Sequence, residues 1–301
     1  MKVGILVPVW RGYTWVAPLT FELISEFWPS HPEIVFCGLA GDESAGLPRV
    51  DLDAGVDRRN WTAVLQTGVA GMKARGFEAV YVVAEEHVPL ATCHAEHLNN
   101  TLPKLLQSLK ASYISLMGWD NRRYPSRSPV LDAEHYRLKH LVGTHDARFH
   151  LHPALWRLDV LEACCELALR VTEKRGSAWH FEKACAPLAA DLLDEWKQGC
   201  FQINSAAMSL TVRNGLGTAR AELEAWVFHK LMALYPVVGQ MGLARQLLGR
   251  IPFDDVFCNG PYPLFFSGIM AKGEPNQFFV NYVSRHSPEL MGRILERMPT
   301  R

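Results

Sequence analysis

Cysteine pairs that would indicate a disulfide framework or a structural zinc site are missing from this sequence. The seven cysteines are scattered, their number is odd, and no two of them are spaced as Cys-x-x-Cys. Disulfide-rich domains and zinc sites need regular spacings of this kind. The pattern therefore favours a reducing compartment, and we expect a cytoplasmic protein.

An excess of charge and a long apolar run are absent as well. The 31 Lys and Arg residues balance 31 Asp and Glu residues, whereas DNA- or RNA-binding proteins present a basic face. No apolar stretch approaches the roughly 20 residues that cross a bilayer, and the N-terminal MKVGILVPVWRG does not have a signal-peptide pattern. We expect no nucleic-acid partner and no transmembrane segment, which leaves peripheral membrane association open.

Several catalytic signatures are also missing. The sequence has no Gly-x-Ser-x-Gly elbow, no phosphate-binding G-x-x-x-x-G-K-[ST] loop, no G-x-G-x-x-G fingerprint and no H-E-x-x-H pair. These patterns are the specific signals for serine hydrolases, P-loop NTPases, dinucleotide enzymes and zinc hydrolases. What remains is an ordinary globular composition, with 49% hydrophobic and 21% charged residues.

Short apolar runs alternate with amphipathic segments in the first 120 residues. The runs predict buried strands at 3–9, 34–39, 79–84 and 113–117. Helical spacing is found between them, at 15–28 and after Asn60, which is suited to cap a helix that ends near Gly76. This alternation predicts an α/β protein with a mostly parallel sheet and helices on both faces.

The second half of the chain reads as more helical. Pro153 suits the first turn of a helix that runs to Thr172. Further helices are predicted at 178–193, 219–234, 241–248 and from Ser287 onward, and a β-like stretch at 262–270. We therefore predict a core at 1–185 and a helical extension at 186–301 with a closing β segment near 262–270.

Two acids and a histidine follow the strand at 79–84. Ligands of open α/β sheets bind beyond the carboxyl ends of the strands, where Glu85, Glu86 and His87 would lie. Carboxylate and imidazole groups suit a divalent ion such as Mn²⁺ or Mg²⁺, which can stabilise a diphosphate leaving group. A polar strand exit with solvated charges is the alternative interpretation.

A second acidic candidate lies in the segment Trp-His-Phe-Glu at 179–182. A carboxylate beside bulky aromatic side chains is partly desolvated, which raises its pKa and suits a general base near neutral pH. Glu182 would be that base. The alternative is an amphipathic helix that packs Trp179 and Phe181 and exposes Glu182.

Arginines in two predicted loops are candidates for binding phosphate. Guanidinium groups match phosphate oxygens in pairs. Arg122, Arg123 and Arg127 lie in one loop, and Arg58 and Arg59 directly precede the Asn60 helix. Solvated loop charges are the alternative.

Taken in order, five segments give the chain a family resemblance. They are MKVGILVPVW, NWTAVLQTGVAGMKARGFEAVYVVAEEHVPL, FHLHPALWRLDVLEACC, SAWHFE and the late FCNGPYPLFFSGIMAKGE. Together they resemble bacterial glycosyltransferases of the Rossmann-like GT-A fold, especially members that build capsule and other surface polysaccharides. The resemblance implies a hexosyltransferase with a nucleotide-sugar donor, a UDP-sugar foremost, and a glycan acceptor.

The resemblance also implies roles for the residues near the acidic cluster. Glu85 and Glu86 would face the donor diphosphate, with Glu86 and His87 on a divalent cation, Mn²⁺ or Mg²⁺. His87 stands where such enzymes usually have a metal-binding Asp, which puts metal dependence in question. Glu182 would deprotonate the acceptor hydroxyl, giving inversion at the anomeric carbon.

Further positions follow from the same resemblance. Pro8, Val9 and Trp10 would border the nucleotide base, and Trp156 and Trp179 would shape the acceptor side.

Two other functions stay open. One is a catalytically weak GT-A-like nucleotide-binding or scaffold protein, which His87 in place of an Asp favours. The other is a sugar-phosphate nucleotidyltransferase, although VPVWRGYTW does not match the glycine-rich loop with an arginine that such enzymes have after the first strand.

Overall fold

The computed structural model describes most of the first half of the chain and separate segments of the second. The described residues are 1–40, 46–117, 131–132, 136–140, 149, 152–171, 176–191, 199–205, 207–208, 257–258, 260–265, 268–271, 274–276, 279–280, 283–284 and 287–298. The predicted arginine loop with Arg122, Arg123 and Arg127 lies outside them, as do the helices predicted at 219–234 and 241–248.

A nine-stranded sheet organises the described residues. Its strands are β1 (Val3–Pro8), β2 (Ile34–Cys37), β3 (Arg49–Val50), β4 (Ala79–Val82), β5 (Tyr113–Ser115), β6 (Leu131–Asp132), β7 (Tyr136–His140), β8 (Ala154–Arg157) and β9 (Cys200–Ser205). Their order is β3-β2-β1-β4-β8-β5-β9-β7-β6. Only β8 and β7 are antiparallel to their neighbours, so the other seven strands run in one direction. The predicted mostly parallel sheet is confirmed.

Helices cover both faces of this sheet. They are α1 (Val16–Phe27), α2 (Trp61–Ala74), a π-helical turn (His97–Thr101) that continues into α3 (Leu102–Ser108), α4 (Leu158–Val171), α5 (Ala178–Asp191) and α6 (Pro288–Arg297). One buried cluster joins α1 and α3 to the sheet, and a second joins α2, α4 and α5 to its other face. The α/β class with flanking helices is therefore confirmed. No helix in the described residues is long and apolar enough to cross a membrane.

Local signals set the ends of the first helices. The Asn60 side chain caps α2 by accepting a hydrogen bond of 3.3 Å from the N–H of Ala63. α1 ends where the N–H of Trp28 bonds to the carbonyl of Ile24 and Pro29 follows. Because these signals are local, both helices lie within two residues of their predicted bounds.

The helix predicted to start at Pro153 begins later. Residues Ala154–Arg157 form β8, which is antiparallel to both β4 and β5, and α4 starts only at Leu158. The reason is burial on both sides of the sheet: Ala154, Leu155 and Trp156 are fully buried. A run that is buried on both faces forms a strand more readily than the first turn of a surface helix.

Segments from the C-terminal part of the chain pack at two places. β9, which follows the predicted boundary at residue 185, pairs with β5 inside the main sheet. The last helix, α6, packs its apolar side against α1, and Arg293 forms an ion pair of 2.7 Å with Glu26 of α1.

The smaller β elements belong to two further sheets. β10 (Ala207–Met208), β11 (Phe257–Cys258) and β12 (Leu264–Phe265) are antiparallel, and β13 (Met270–Ala271) pairs with β14 (Glu274–Pro275). β12 and the first residue of β13 lie in the stretch at 262–270 that was predicted to be β-like.

Candidate functional site

The carboxyl ends of β1 and β4 form the candidate site. β1 lies between β2 and β4 and is parallel to both. The chain thus moves from β1 to β2 on one side and arrives at β4 on the other. In open α/β sheets, ligands bind in the crevice outside the strand ends at such a reversal of strand order.

Glu85 joins the two strand ends. Its side chain is only 3% exposed, and its Oε1 accepts a hydrogen bond of 2.8 Å from the N–H of Trp10, which follows β1. The Thr20 hydroxyl of α1 donates to the Glu85 carbonyl at 2.7 Å. The family resemblance implies that the Glu85 carboxylate faces a donor diphosphate. In the structure this carboxylate is an internal brace that holds the turn after β1 against the end of β4.

The two neighbouring acids have raised pKa values. Burial, reinforced by the charge of Glu86, raises the pKa of Glu85 to about 8, although the Trp10 N–H opposes this shift. Burial raises the pKa of Glu86 to about 7. Both carboxyl groups are therefore substantially protonated at neutral pH, and the strand end carries less than the two negative charges that its sequence suggests.

Glu86 is covered by a late segment of the chain. Its carbonyl accepts a hydrogen bond of 2.9 Å from the N–H of Ile269. Gly268 has φ of +69°, and a Cβ atom there would lie 3.2 Å from both the Glu86 carbonyl oxygen and Cγ. Only glycine fits this close approach without strain. The stretch at 262–270, predicted to be a closing β segment, thus contacts the acidic turn directly.

His87 faces inward from the same turn. It is 7% exposed, and its carbonyl accepts a hydrogen bond of 3.0 Å from the Tyr262 hydroxyl. Its ring packs edge-on against His152, with centroids 5.2 Å apart. Within the described residues, no three His, Cys, Asp or Glu side chains converge as a metal site. Glu86 and His87 alone do not complete a ligand set.

Of the residues predicted to border a nucleotide base, Trp10 is the one that a ligand can reach. Pro8 and Val9 are buried, and the Val9 N–H bonds to the Cys37 carbonyl at 2.8 Å. The Trp10 indole is half-buried and packs on the apolar cluster that contains Trp61.

Arg58 is fixed beside the end of β2. Its Nε donates a hydrogen bond of 3.0 Å to the carbonyl of Gly38. Gly38 has φ of +97°, and a Cβ atom at this position would lie 2.4 Å from the Val9 carbonyl oxygen. Gly38 therefore lets the chain turn tightly behind β1, and its carbonyl holds Arg58 at the carboxyl edge of the sheet.

A cavity of about 370 Å³ opens next to Trp10. It is lined by Trp10, Arg11, Arg59 and Ser177. Arg11 follows β1, Arg59 precedes α2, and Ser177 precedes α5, so three separate segments meet at the carboxyl edge. The arrangement offers an aromatic surface and two guanidinium groups, which suits a planar ring that carries phosphate.

Glu182 and Trp156, a predicted base and a predicted acceptor-side residue, have different surroundings. Glu182 is half-buried, in the α5 helix that begins directly after Ser177. Trp156 is fully buried in β8 and packs against Tyr113. The prediction that Trp156 shapes an acceptor site is therefore wrong, because its indole belongs to the core. The side chain of Trp179 lies outside the described part of the chain.

Some residues of the site were not predicted. Arg11 lies just beyond Trp10 after the first predicted strand, so the rule that ligands bind beyond the carboxyl ends of the strands points to it. No local sequence pattern marks Ser177 or Gly268 as a site residue. They reach the site only through contacts between segments that are far apart in the sequence.

Comparison with known proteins does not identify a family for this chain. No family model matches it, and no curated protein matches it in sequence. One solved structure that it resembles is the crystal structure of mannose-1-phosphate geranyltransferase from Thermus thermophilus. The match has 13% identity and a TM-score of 0.35, and covers 68% of this chain and 74% of that one. A likeness this loose carries no argument about activity or substrate.

Proposed function

We propose that the protein is a transferase that binds a nucleotide sugar at the carboxyl ends of β1 and β4 and passes the sugar to a hydroxyl group of a glycan. The observation that carries this proposal is the hydrogen bond between the Trp10 N–H and Glu85. It fixes the turn after β1 at the point where the strand order reverses, which is where such sheets bind nucleotides. The half-exposed indole beside it is a surface on which a base can stack, and such stacking contributes about 1–3 kcal/mol.

The chemistry would be a single displacement. The acceptor oxygen attacks the anomeric carbon while the bond from that carbon to the diphosphate oxygen breaks, and the nucleoside diphosphate leaves. Glu182 takes the acceptor proton. The support for this role is its place on α5, the helix that begins directly after the cavity residue Ser177. Attack from the side opposite the leaving group inverts the anomeric configuration.

We propose that a divalent cation, Mn²⁺ or Mg²⁺, binds only together with the substrate. Mg²⁺ is usually held by one or two carboxylates and by the substrate's phosphates. The half-buried Glu86 is the acidic side chain at the end of β4 that fits this role, because Glu85 is engaged with Trp10. When bound, the cation would neutralise charge on the departing diphosphate.

A second candidate function is sugar-phosphate nucleotidyl transfer, and the position of Arg11 favours it. This arginine lies in the turn after β1 and lines the cavity with Arg59, although the glycine-rich loop is missing. In that reaction a sugar phosphate oxygen attacks the α-phosphorus of a nucleoside triphosphate, and pyrophosphate leaves.

Two experiments test the proposal in sequence. First, thermal unfolding is followed with millimolar UDP, GDP, CMP and dTDP, with Mn²⁺ or with EDTA. A ligand that binds the native state raises the melting temperature by mass action. We expect one nucleoside diphosphate to do so, and no shift with any nucleotide would contradict the proposal.

Second, product formation separates the candidates. Nucleotide sugars with glycan acceptors should release nucleoside diphosphate, whereas a triphosphate with a sugar phosphate would release pyrophosphate if the second candidate is correct. Glu182→Ala should abolish glycosyl transfer and leave nucleotide binding intact. Nucleotide binding without either product would instead identify a binding or scaffold protein.

A further inference from the structure

The cavity beside Trp10 holds two arginines whose charges are not balanced within the described residues. Arg11 and Arg59 both line it and both are exposed. No carboxylate of the described part of the chain forms an ion pair with either guanidinium. Arg58, in contrast, is held by the Gly38 carbonyl. Two positive groups that share a cavity repel each other, and an anion between them removes that cost.

The segments that carry these arginines are held in place by the fold. The Trp61 N–H at the start of α2 donates a hydrogen bond of 2.7 Å to the carbonyl of Gly176, just before α5. Behind this contact, the rings of Trp61 and Phe181 pack edge-on with centroids 6.0 Å apart. The starts of α2 and α5 are thereby fixed side by side, which places Arg59 and Ser177 on one wall of the cavity.

The segment that carries Trp10 and Arg11 is fixed by the brace described above. Glu85 holds the Trp10 N–H, and the Tyr13 N–H bonds to the Trp10 carbonyl at 2.7 Å, so the backbone on both sides of Arg11 is ordered. Two guanidinium groups on such a frame can each donate paired hydrogen bonds to phosphate oxygens. At about 370 Å³ the cavity has the size of a small-molecule site.

We propose that Arg11 and Arg59 form a phosphoanion-binding subsite whose two guanidinium groups hold the diphosphate of the substrate even when no metal ion is bound. The identification of this anion as part of a nucleotide rests on the proposed function. Free pyrophosphate has the same chemistry and binds at the same two guanidinium groups. Ser177, which also lines the cavity, directly precedes α5, the helix that carries Glu182.

The test is calorimetric titration of pyrophosphate and of UDP into the whole protein, in EDTA and at low ionic strength. Arg11→Gln and Arg59→Gln should each weaken pyrophosphate binding about tenfold or more, as expected for loss of a charge-assisted hydrogen bond. Arg75→Gln is the matched control, because it removes the same charge from the far end of α2. It should change the affinity less than about twofold, since surface charges beyond a Debye length are largely screened.

A loss of binding can be told from a loss of stability, because both arginine side chains are exposed and the melting curves of the variants should match that of the parent protein. Arg59→Lys separates charge from geometry: it keeps the charge but loses the planar fork, and should give an intermediate affinity. UDP should compete with pyrophosphate if both use this subsite.

The outcomes distinguish this proposal from the proposed function. If pyrophosphate binds through Arg11 and Arg59 but no nucleotide binds, the subsite stands as a site for free phosphoanions and the transferase proposal fails. If nucleotides bind and neither variant weakens them or pyrophosphate, the subsite is overturned and the transferase proposal stands. If the parent protein binds pyrophosphate only when Mn²⁺ is added, or not at all, the subsite is overturned as well.

Discussion

Replacing Glu85 by glutamine tests whether a buried, largely neutral carboxyl group joins the ends of β1 and β4. Glutamine keeps an oxygen that can accept from the Trp10 N–H, but it has no titrating proton. The parent side chain is 3% exposed, and burial raises its pKa from 4.5 to about 8. The native state therefore holds a proton over a pH range in which the unfolded chain has lost it.

The sign and size of the effect follow from this difference. Because the pKa is raised in the native state, the stabilisation is complete below about pH 4.5 and is lost as the pH rises through about 8. Within this window Glu85 lowers the free energy of unfolding by about 1.4 kcal/mol per pH unit, or about 5 kcal/mol in all. Glu86 has a pKa of about 7, so it also lowers the free energy of unfolding as the pH rises toward 7. The range between pH 7 and 8 therefore isolates Glu85 best.

The assay is urea unfolding of the parent and Glu85→Gln proteins at half-unit steps from pH 5.5 to 8.5, with EDTA present. The amide shifts the glutamine curve by a constant amount, so the slope is the quantity to compare. We expect the parent protein to lose stability more steeply with rising pH, by about 1.4 kcal/mol per unit up to about pH 7 and by about half of that near pH 8, until the two slopes converge at higher pH. If the two curves stay parallel across the whole pH range, the pKa of Glu85 is not raised in the native state.

Three further substitutions test other parts of the structure. Gly38→Ala should lower the free energy of unfolding by about 2 kcal/mol or more, because φ is +97° and the new Cβ would lie 2.4 Å from the Val9 carbonyl oxygen; urea unfolding measures it, and an unchanged midpoint would contradict the tight turn. Gly268→Ala should cost about 1–2 kcal/mol in the same assay, because its Cβ would press on Glu86; equal stability would show that the late segment does not cover this acid. Trp156→Phe should cost about 1–3 kcal/mol and leave nucleotide affinity unchanged, since the indole is fully buried; a loss of affinity at unchanged stability would restore its ligand role.

Elements with local signals could be predicted from the sequence. The apolar run of β4 and the Asn60 cap of α2 are both where the pattern places them. β8 could not be predicted, because a strand and the first turn of a buried helix have similar composition. Its strand geometry depends on β4 and β5, which lie far from it in sequence and bury it on both sides.

The candidate site, too, could be predicted only in part from local sequence signals. The pattern Glu-Glu-His at the end of β4 located the site, but it did not indicate which acid points inward. That choice depends on the Trp10 N–H, 75 residues away, which binds Glu85. Arg59 and Ser177 meet because α2 and α5 begin side by side, a contact that no local pattern encodes.

Hydrogen exchange, measured with and without the nucleotide that raises the melting temperature most, tests most directly whether a nucleotide binds at the carboxyl edge. We expect the nucleotide to slow exchange of the backbone amides at 10–13 and 58–63, which surround Trp10, Arg11 and Arg59. The opposite edge of the sheet has a cavity of about 460 Å³ lined by residues that include Lys110 and Arg157. Slower exchange at this second cavity, with no change near Trp10, would contradict nucleotide binding at the carboxyl ends of β1 and β4.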